Sequence, residues 1–254
     1  MHASADGKRV GDDVGDDVVR SREDGEGDCL PAWRDVLAVV AHPDDESFGL
    51  GALLSSFVDG GAHVSLLCLT HGEASTLHGV TGDLGVIRAR ELREAASALG
   101  IARVGLAGFP DGALPSVDLR TLVDEIDGFV GPMSPDGLLV FDEDGVTGHP
   151  DHRRATQAAL AYASRERLPV LGWTLPEGLA AALNAEFAGA FAGRDPSEID
   201  LRIEVDRGPQ RWAIAFHRSQ ALPGQALWRR LELAGPHEHA RWQVRPPATA
   251  GKWT

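Results

Sequence analysis

Short, continuous apolar runs, spaced by helix-patterned sequence, constrain this chain more than any other feature. VLAVVA at 36–41, HVSLLCLT at 63–70 and GLLVF at 137–141 are unbroken rather than alternating, as strands buried on both faces are. Weaker runs at 103–107 and 170–173 read as two further strands. Between them the period changes. Residues 46–57 read as a helix ending at Gly60 and Gly61. Residues 84–99 carry apolar side chains at 84, 87, 92, 95, 96 and 99 with charges between, and Gly100 stops them. Residues 118–130 and the Ala-rich 151–165 are helical in period. Strands alternating with helices imply βαβ units, so the expected fold is α/β: a mostly parallel sheet with helices on both faces. Beyond residue 175 the pattern weakens. A strand is expected at 199–205, a helix at 209–220, and irregular chain from Pro236.

Composition narrows the partners. The 254 residues carry a formal net charge of -14, which argues against a nucleic-acid backbone or an anionic membrane as the main partner. The charge is uneven: residues 1–30 hold nine acids against four bases and almost no apolar side chains. Such a segment cannot bury enough surface to offset its ordering entropy. Residues 1–32 are therefore expected to form a disordered acidic tail, 33–222 the α/β domain, and 223–254 an extension packed on it or partly irregular. The two cysteines form no CxxC motif or disulfide framework. No signal peptide or membrane-length apolar run is visible, so the expected compartment is the cytoplasm. A homo-oligomer stays open.

The chemistry is concentrated in two copies of His-Pro-Asp. His42-Pro43-Asp44-Asp45-Glu46 follows the first strand, and His149-Pro150-Asp151-His152 follows the fourth. The carboxyl edge of an open α/β sheet is where ligands bind, and strands one and four are neighbours in the commonest doubly wound order. Either motif alone reads equally well as a turn with a capping aspartate. Two of them, each closing a buried strand and opening a helix, point to a site. His42, Asp45 and His152 supply a His₂Asp donor set suited to catalytic zinc, which takes three protein ligands and keeps one position open. Asp44 and His149 remain spare. Metal-assisted amide hydrolysis needs both kinds of helper: a carboxylate to take a proton from water, and an imidazole for the oxyanion or the leaving amine. Asp151 is placed to orient His149.

The chain resembles the LmbE-like, or PIG-L, N-acetylglucosaminyl deacetylases. The resemblance is carried by AHPDDESFGLGALL at 41–54, LTHGEAS at 69–75, LGVIRARELREAASALG at 84–100, FPDGAL at 109–114, GHPDHRRATQAA at 148–159 and FHRSQAL at 216–222. It implies a Rossmann-like fold with a Zn2+ site at the carboxyl ends of the strands. It implies His42, Asp45 and His152 as ligands, Asp44 as general base, and His149 as oxyanion or acid partner with Asp151 behind it. Arg88 is implied as a substrate-binding residue, and Glu73 is a second candidate contact. The implied substrate is a small amino-sugar-like molecule carrying an acetyl group. One departure stands out: Thr147 occupies the position two before His149 where mycothiol-pathway members carry a tyrosine.

Three functions compete at this point: deacetylation of an amino sugar or sugar conjugate, an amidase reaction on a thiol conjugate or secondary metabolite, and non-catalytic metal binding. The spare Asp44 and His149 count against the last. Gly49-Leu50-Gly51 begins like a dinucleotide fingerprint, but the strand-to-helix turn is occupied by 42–46, so no NAD site is expected. His217 and Gln220 match a late family motif without an assigned role, and His237 and His239 are expected at the surface.

Overall fold

The computed structural model describes residues 28–77 and 80–247. Residues 1–27, the bulk of the acidic tail, lie outside the described residues. The strands are β1 (Asp35–Val40), β2 (His63–Thr70), β3 (Arg103–Phe109), β4 (Gly137–Phe141), β5 (Val170–Thr174), β6 (Leu201–Glu204) and β7 (His237–Val244). The helices are α1 (Asp45–Phe48), α2 (Gly51–Asp59), α3 (Leu84–Ala98), α4 (Leu119–Val130), α5 (Pro150–Glu166), α6 (Glu177–Phe187), α7 (Arg207–Ile214) and α8 (Ala226–Ala234).

All seven strands form one sheet in the order β3-β2-β1-β4-β5-β7-β6. The first five are parallel, and β1 pairs β4 with Val36 opposite Gly137 and Ala38 opposite Leu139. The order reverses between β1 and β4, and that crevice is where a doubly wound sheet binds ligands. Both strands are buried almost throughout, which explains their unbroken apolar sequence. Two apolar clusters cover the faces. Leu53, Leu54 and Phe57 of α2 and Leu92 of α3 pack on one side. Leu122 and Ile126 of α4 and Ala155, Ala159 and Tyr162 of α5 pack on the other.

Three local expectations are corrected. The helix expected at 46–57 is two helices with a break at Gly49-Leu50. A Cβ on Gly49 would sit 2.6 Å from the Phe141 ring, so the chain turns there against β4. The helix expected at 209–220 ends at Ile214, because the chain beyond it is tied down by buried side chains described below. The irregular chain expected from Pro236 is instead β7, antiparallel to both β5 and β6 and lying between them. His237 and His239 are half-buried on that strand rather than at the surface of a tail.

Candidate active site

The first five strands deliver their following loops to one edge of the sheet, where a cavity of about 520 Å³ opens. His42 follows β1 and Asp45 begins α1. His152 sits in the first turn of α5, after β4. His42 Nδ1 faces His152 Nε2 at 3.1 Å. An Asp45 oxygen lies 3.1 Å from His152 Nε2, and the other lies 3.6 Å from His42 Nδ1. A tetrahedral zinc with bonds of 2.0–2.2 Å holds its donors roughly 3.3 Å apart. The two nitrogens and the carboxylate therefore fit such a cation. All three residues are buried.

Each donor is held from behind. Asp45 Oδ2 accepts the backbone N–H of Ala41 at 3.1 Å and of His42 at 2.9 Å. His152 Nδ1 meets Thr147 Oγ1 at 2.8 Å and the Gly145 carbonyl at 3.2 Å, which leaves Nε2 for the shared centre. The far nitrogen of His42 lies 3.1 Å from Asp111 and 3.4 Å from Asp151. Carboxylates in that position fix the ring and raise its basicity. Burial works to depress the His42 imidazole, but its hydrogen bonds to Asp111, Asp151 and Asp45 raise it well above the ordinary range. For Asp45, burial pushes upward, yet the neighbouring His152 and His42 hold the carboxyl well below its usual range. Negative charge that draws a proton to an imidazole also draws a cation.

Asp111 was not anticipated. Its Pro-Asp-Gly setting reads as a turn, and only its place after β3, at the carboxyl edge, marks it. Two overlapping donor groups result: His42, His149 and His152, and His42, Asp111 and Asp151, each within 4.8 Å.

Asp44, His149 and Arg88 line the cavity, and Glu73 does not. Asp44 is a non-glycine residue at φ 132°, a strained conformation costing on the order of 1–3 kcal/mol. Burial raises its carboxyl to about 6, against the opposing pull of Arg88. Arg88, expected to contact substrate, lies in the cavity wall and is also tied to the protein. It is buried, donates to the carbonyls of Gly72 at 2.6 Å and Pro43 at 2.5 Å, and lies 3.0 Å from the Asp44 carboxylate. Those contacts engage both terminal nitrogens with protein groups while the side chain stays in the cavity wall. Glu73 is exposed and accepts the Asp111 N–H at 3.0 Å, so it braces the loop behind the cavity.

His149 is the N-cap of α5, and its Nδ1 accepts the Asp151 N–H at 3.2 Å. The Asp151 carboxylate does not orient His149. It accepts from Gly112 and Leu114 at 2.8 and 3.1 Å and turns toward His42, because the β3 loop supplies two N–H donors on that side. The rest of the cavity wall is largely apolar, with Phe48, Leu77, Phe141, Trp173, Phe191 and Leu227.

Residues 37–163 match the family model PIG-L, described as GlcNAc-PI de-N-acetylase. A 1D-myo-inositol 2-acetamido-2-deoxy-alpha-D-glucopyranoside deacetylase of Nakamurella multipartita is 30% identical over 86% of this chain and 92% of its own length. A probable N-acetyl-alpha-D-glucosaminyl L-malate deacetylase of Bacillus cereus is 32% identical over 54% of this chain and 66% of its own length. Among solved structures, the zinc-inhibited form of the teicoplanin deacetylase Orf2 superposes with a TM-score of 0.62 at 21% identity, covering 85% of this chain and 100% of that one. That likeness concerns the fold. Among the described residues no helix is long and apolar enough to cross a membrane.

Proposed function

The chain belongs to the PIG-L family, and from that premise we propose that it is a zinc-dependent hydrolase that removes the acetyl group from an N-acetylglucosaminyl conjugate. The observation carrying the proposal is the convergence of His42, Asp45 and His152 at 3.1–3.6 Å, with Asp44 and His149 left over in the wall of the same cavity. When bound there, zinc would polarise the amide carbonyl and bring the pKa of a water down to about 7.

The protein groups supply the rest. Asp44, fixed beside Arg88, accepts the proton of the attacking water. His149 has its Nδ1 engaged by a backbone N–H, so Nε2 carries the proton and donates to the oxygen on which negative charge develops. Arg88 holds Asp44 in place and opposes the burial that raises its carboxyl. Asp111 and Asp151 orient His42.

A second reading keeps this chemistry and changes the substrate. The aromatic and aliphatic wall formed by Phe48, Trp173, Phe191 and Leu227 favours an amide that carries a bulky apolar portion, such as a thiol conjugate or a secondary metabolite.

The test is acetate release from N-acetylglucosamine linked to inositol or malate, with zinc added. Asp44→Asn is expected to retain zinc while losing about 10²-fold or more in kcat. Full activity in Asp44→Asn would remove Asp44 from the base role. Turnover of apolar amides without turnover of any sugar conjugate would favour the second reading.

A further inference from the structure

The strained backbone at Asp44 persists because side chains outside the turn fix it. Arg88 holds the preceding carbonyl, and Glu46 holds the amide: its Oε2 accepts the Asp44 N–H at 2.9 Å. Glu46 does not line the cavity and is completely buried. Its other oxygen accepts the Ser47 hydroxyl at 2.6 Å and lies 2.6 Å from His217 Nε2. His217 comes from far downstream, beyond α7, and is also completely buried. Its own backbone is secured, since its carbonyl accepts from Gln220 and Ala221 and the neighbouring Ser219 donates to Glu91 at 2.9 and 2.5 Å.

Packing alone does not account for this pair. A buried ion pair is often no more stabilising than apolar side chains of similar volume. Here one imidazole nitrogen, His217 Nδ1, has no partner among the described residues, which adds a penalty an apolar residue would avoid. What apolar residues cannot do is present a fixed acceptor to the Asp44 amide.

We propose that Glu46 and His217 act together as positioning residues for Asp44. His217 locks the Glu46 carboxylate so that Oε2 anchors the Asp44 N–H and keeps the Asp44 side chain on the cavity. The kinetic part of this inference rests on Asp44 being the proton acceptor; the structural part does not.

The experiment reads amide hydrogen exchange at Asp44 in the full chain, with and without zinc. His217→Ala, which removes no hydrogen bond made by Asp44, is expected to speed that exchange about tenfold or more while leaving Val39 and Val40 in β1 unchanged. Glu46→Ala should do the same, and Glu46→Gln, which keeps an oxygen acceptor, should restore most of the protection. On an N-acetylglucosamine–inositol conjugate, His217→Ala should lower kcat about tenfold with KM within about twofold. That loss should vanish in an Asp44→Asn background. His217→Gln serves if the alanine variant does not fold. Unchanged exchange at Asp44 in the folded His217 variant, or equal kinetic losses in both backgrounds, overturns the proposal. Absence of acetate release by the wild-type chain would overturn the deacetylase reading instead, and the exchange result would still decide this one.

Discussion

His42 gathers more of the site than any other residue: its Nδ1 faces His152 and Asp45, and its Nε2 faces Asp111 and Asp151. Removing it deletes a donor and strands two carboxylates beside an empty space. His42→Ala and His152→Ala are expected to purify with almost no zinc, measured by elemental analysis after reconstitution, whereas Asp111→Asn should keep the metal and bind it about 10–100-fold more weakly. A full zinc equivalent in either alanine variant would exclude that histidine as a ligand. The residues at this centre were legible in the sequence because two His-Pro-Asp motifs closed two unbroken strands. Their supports were less so. Arg88 sits in an amphipathic helix whose charges look solvated, and its burial follows from the approach of Gly72, where a Cβ would lie 2.2 Å from the guanidinium. Asp151 changes partners because the β3 loop offers it two backbone donors, and loop geometry is not written in residue spacing.

At the scale of elements, the legible ones were those buried on both faces. β2 and β4 begin and end at the residues expected, 63–70 and 137–141. β7 was hidden because one of its two buried residues, Glu238, is an acid near the start of the strand. Glu238 accepts from Trp173 Nε1 at 2.7 Å and pairs with Arg230 at 2.8 Å and with Arg207. In His-Glu-His-Ala-Arg-Trp-Gln-Val, Ala240, Trp242 and Val244 follow the apolar-inward alternation, and Glu238 breaks it at a buried position that only tertiary pairing rescues. Burial works to raise the Glu238 carboxyl, but Arg230 and Arg207 hold it below its ordinary range. A depressed folded-state value means the pair contributes fully above the unfolded pKa, about 4.3, and loses that contribution as pH falls through the folded value. Glu238→Gln, which leaves two guanidinium groups unpaired, should cost about 3–5 kcal/mol at neutral pH. The gap from wild type should narrow as pH falls below the unfolded value of about 4.3 and close once it has passed the lower folded value, as followed by urea unfolding across pH. A gap that stays constant down to pH 3 would show that the charge is not what stabilises this network.

On the scale of the molecule, the two halves of the chain do different work. Residues 35–174 build the parallel sheet and carry every proposed ligand. The last third grips the α1 turn: Gln210 donates to the Ser47 carbonyl at 2.9 Å, His217 meets Glu46, and Arg230 donates to the Phe48 carbonyl at 2.7 Å. Deleting residues 236–254 removes β7 and the counter-charge of Arg230, and leaves β6 with no neighbour. That truncation is expected to abolish both the cooperative thermal transition and zinc retention. A shortened chain that still melts cooperatively and holds zinc would show that the first five strands are sufficient.

The position of β7 also sets a timetable. It comes last in the chain among the described strands, yet it inserts between β5 and β6, and β6 has no other strand partner among the described residues. During synthesis the first five strands can associate as they emerge, in the usual amino-to-carboxyl order. The sheet cannot be completed until the chain has been made through Val244. A nascent chain would thus display its histidines and aspartates well before the brace from Arg230 and Glu238 arrives, and durable cation capture would wait for that brace.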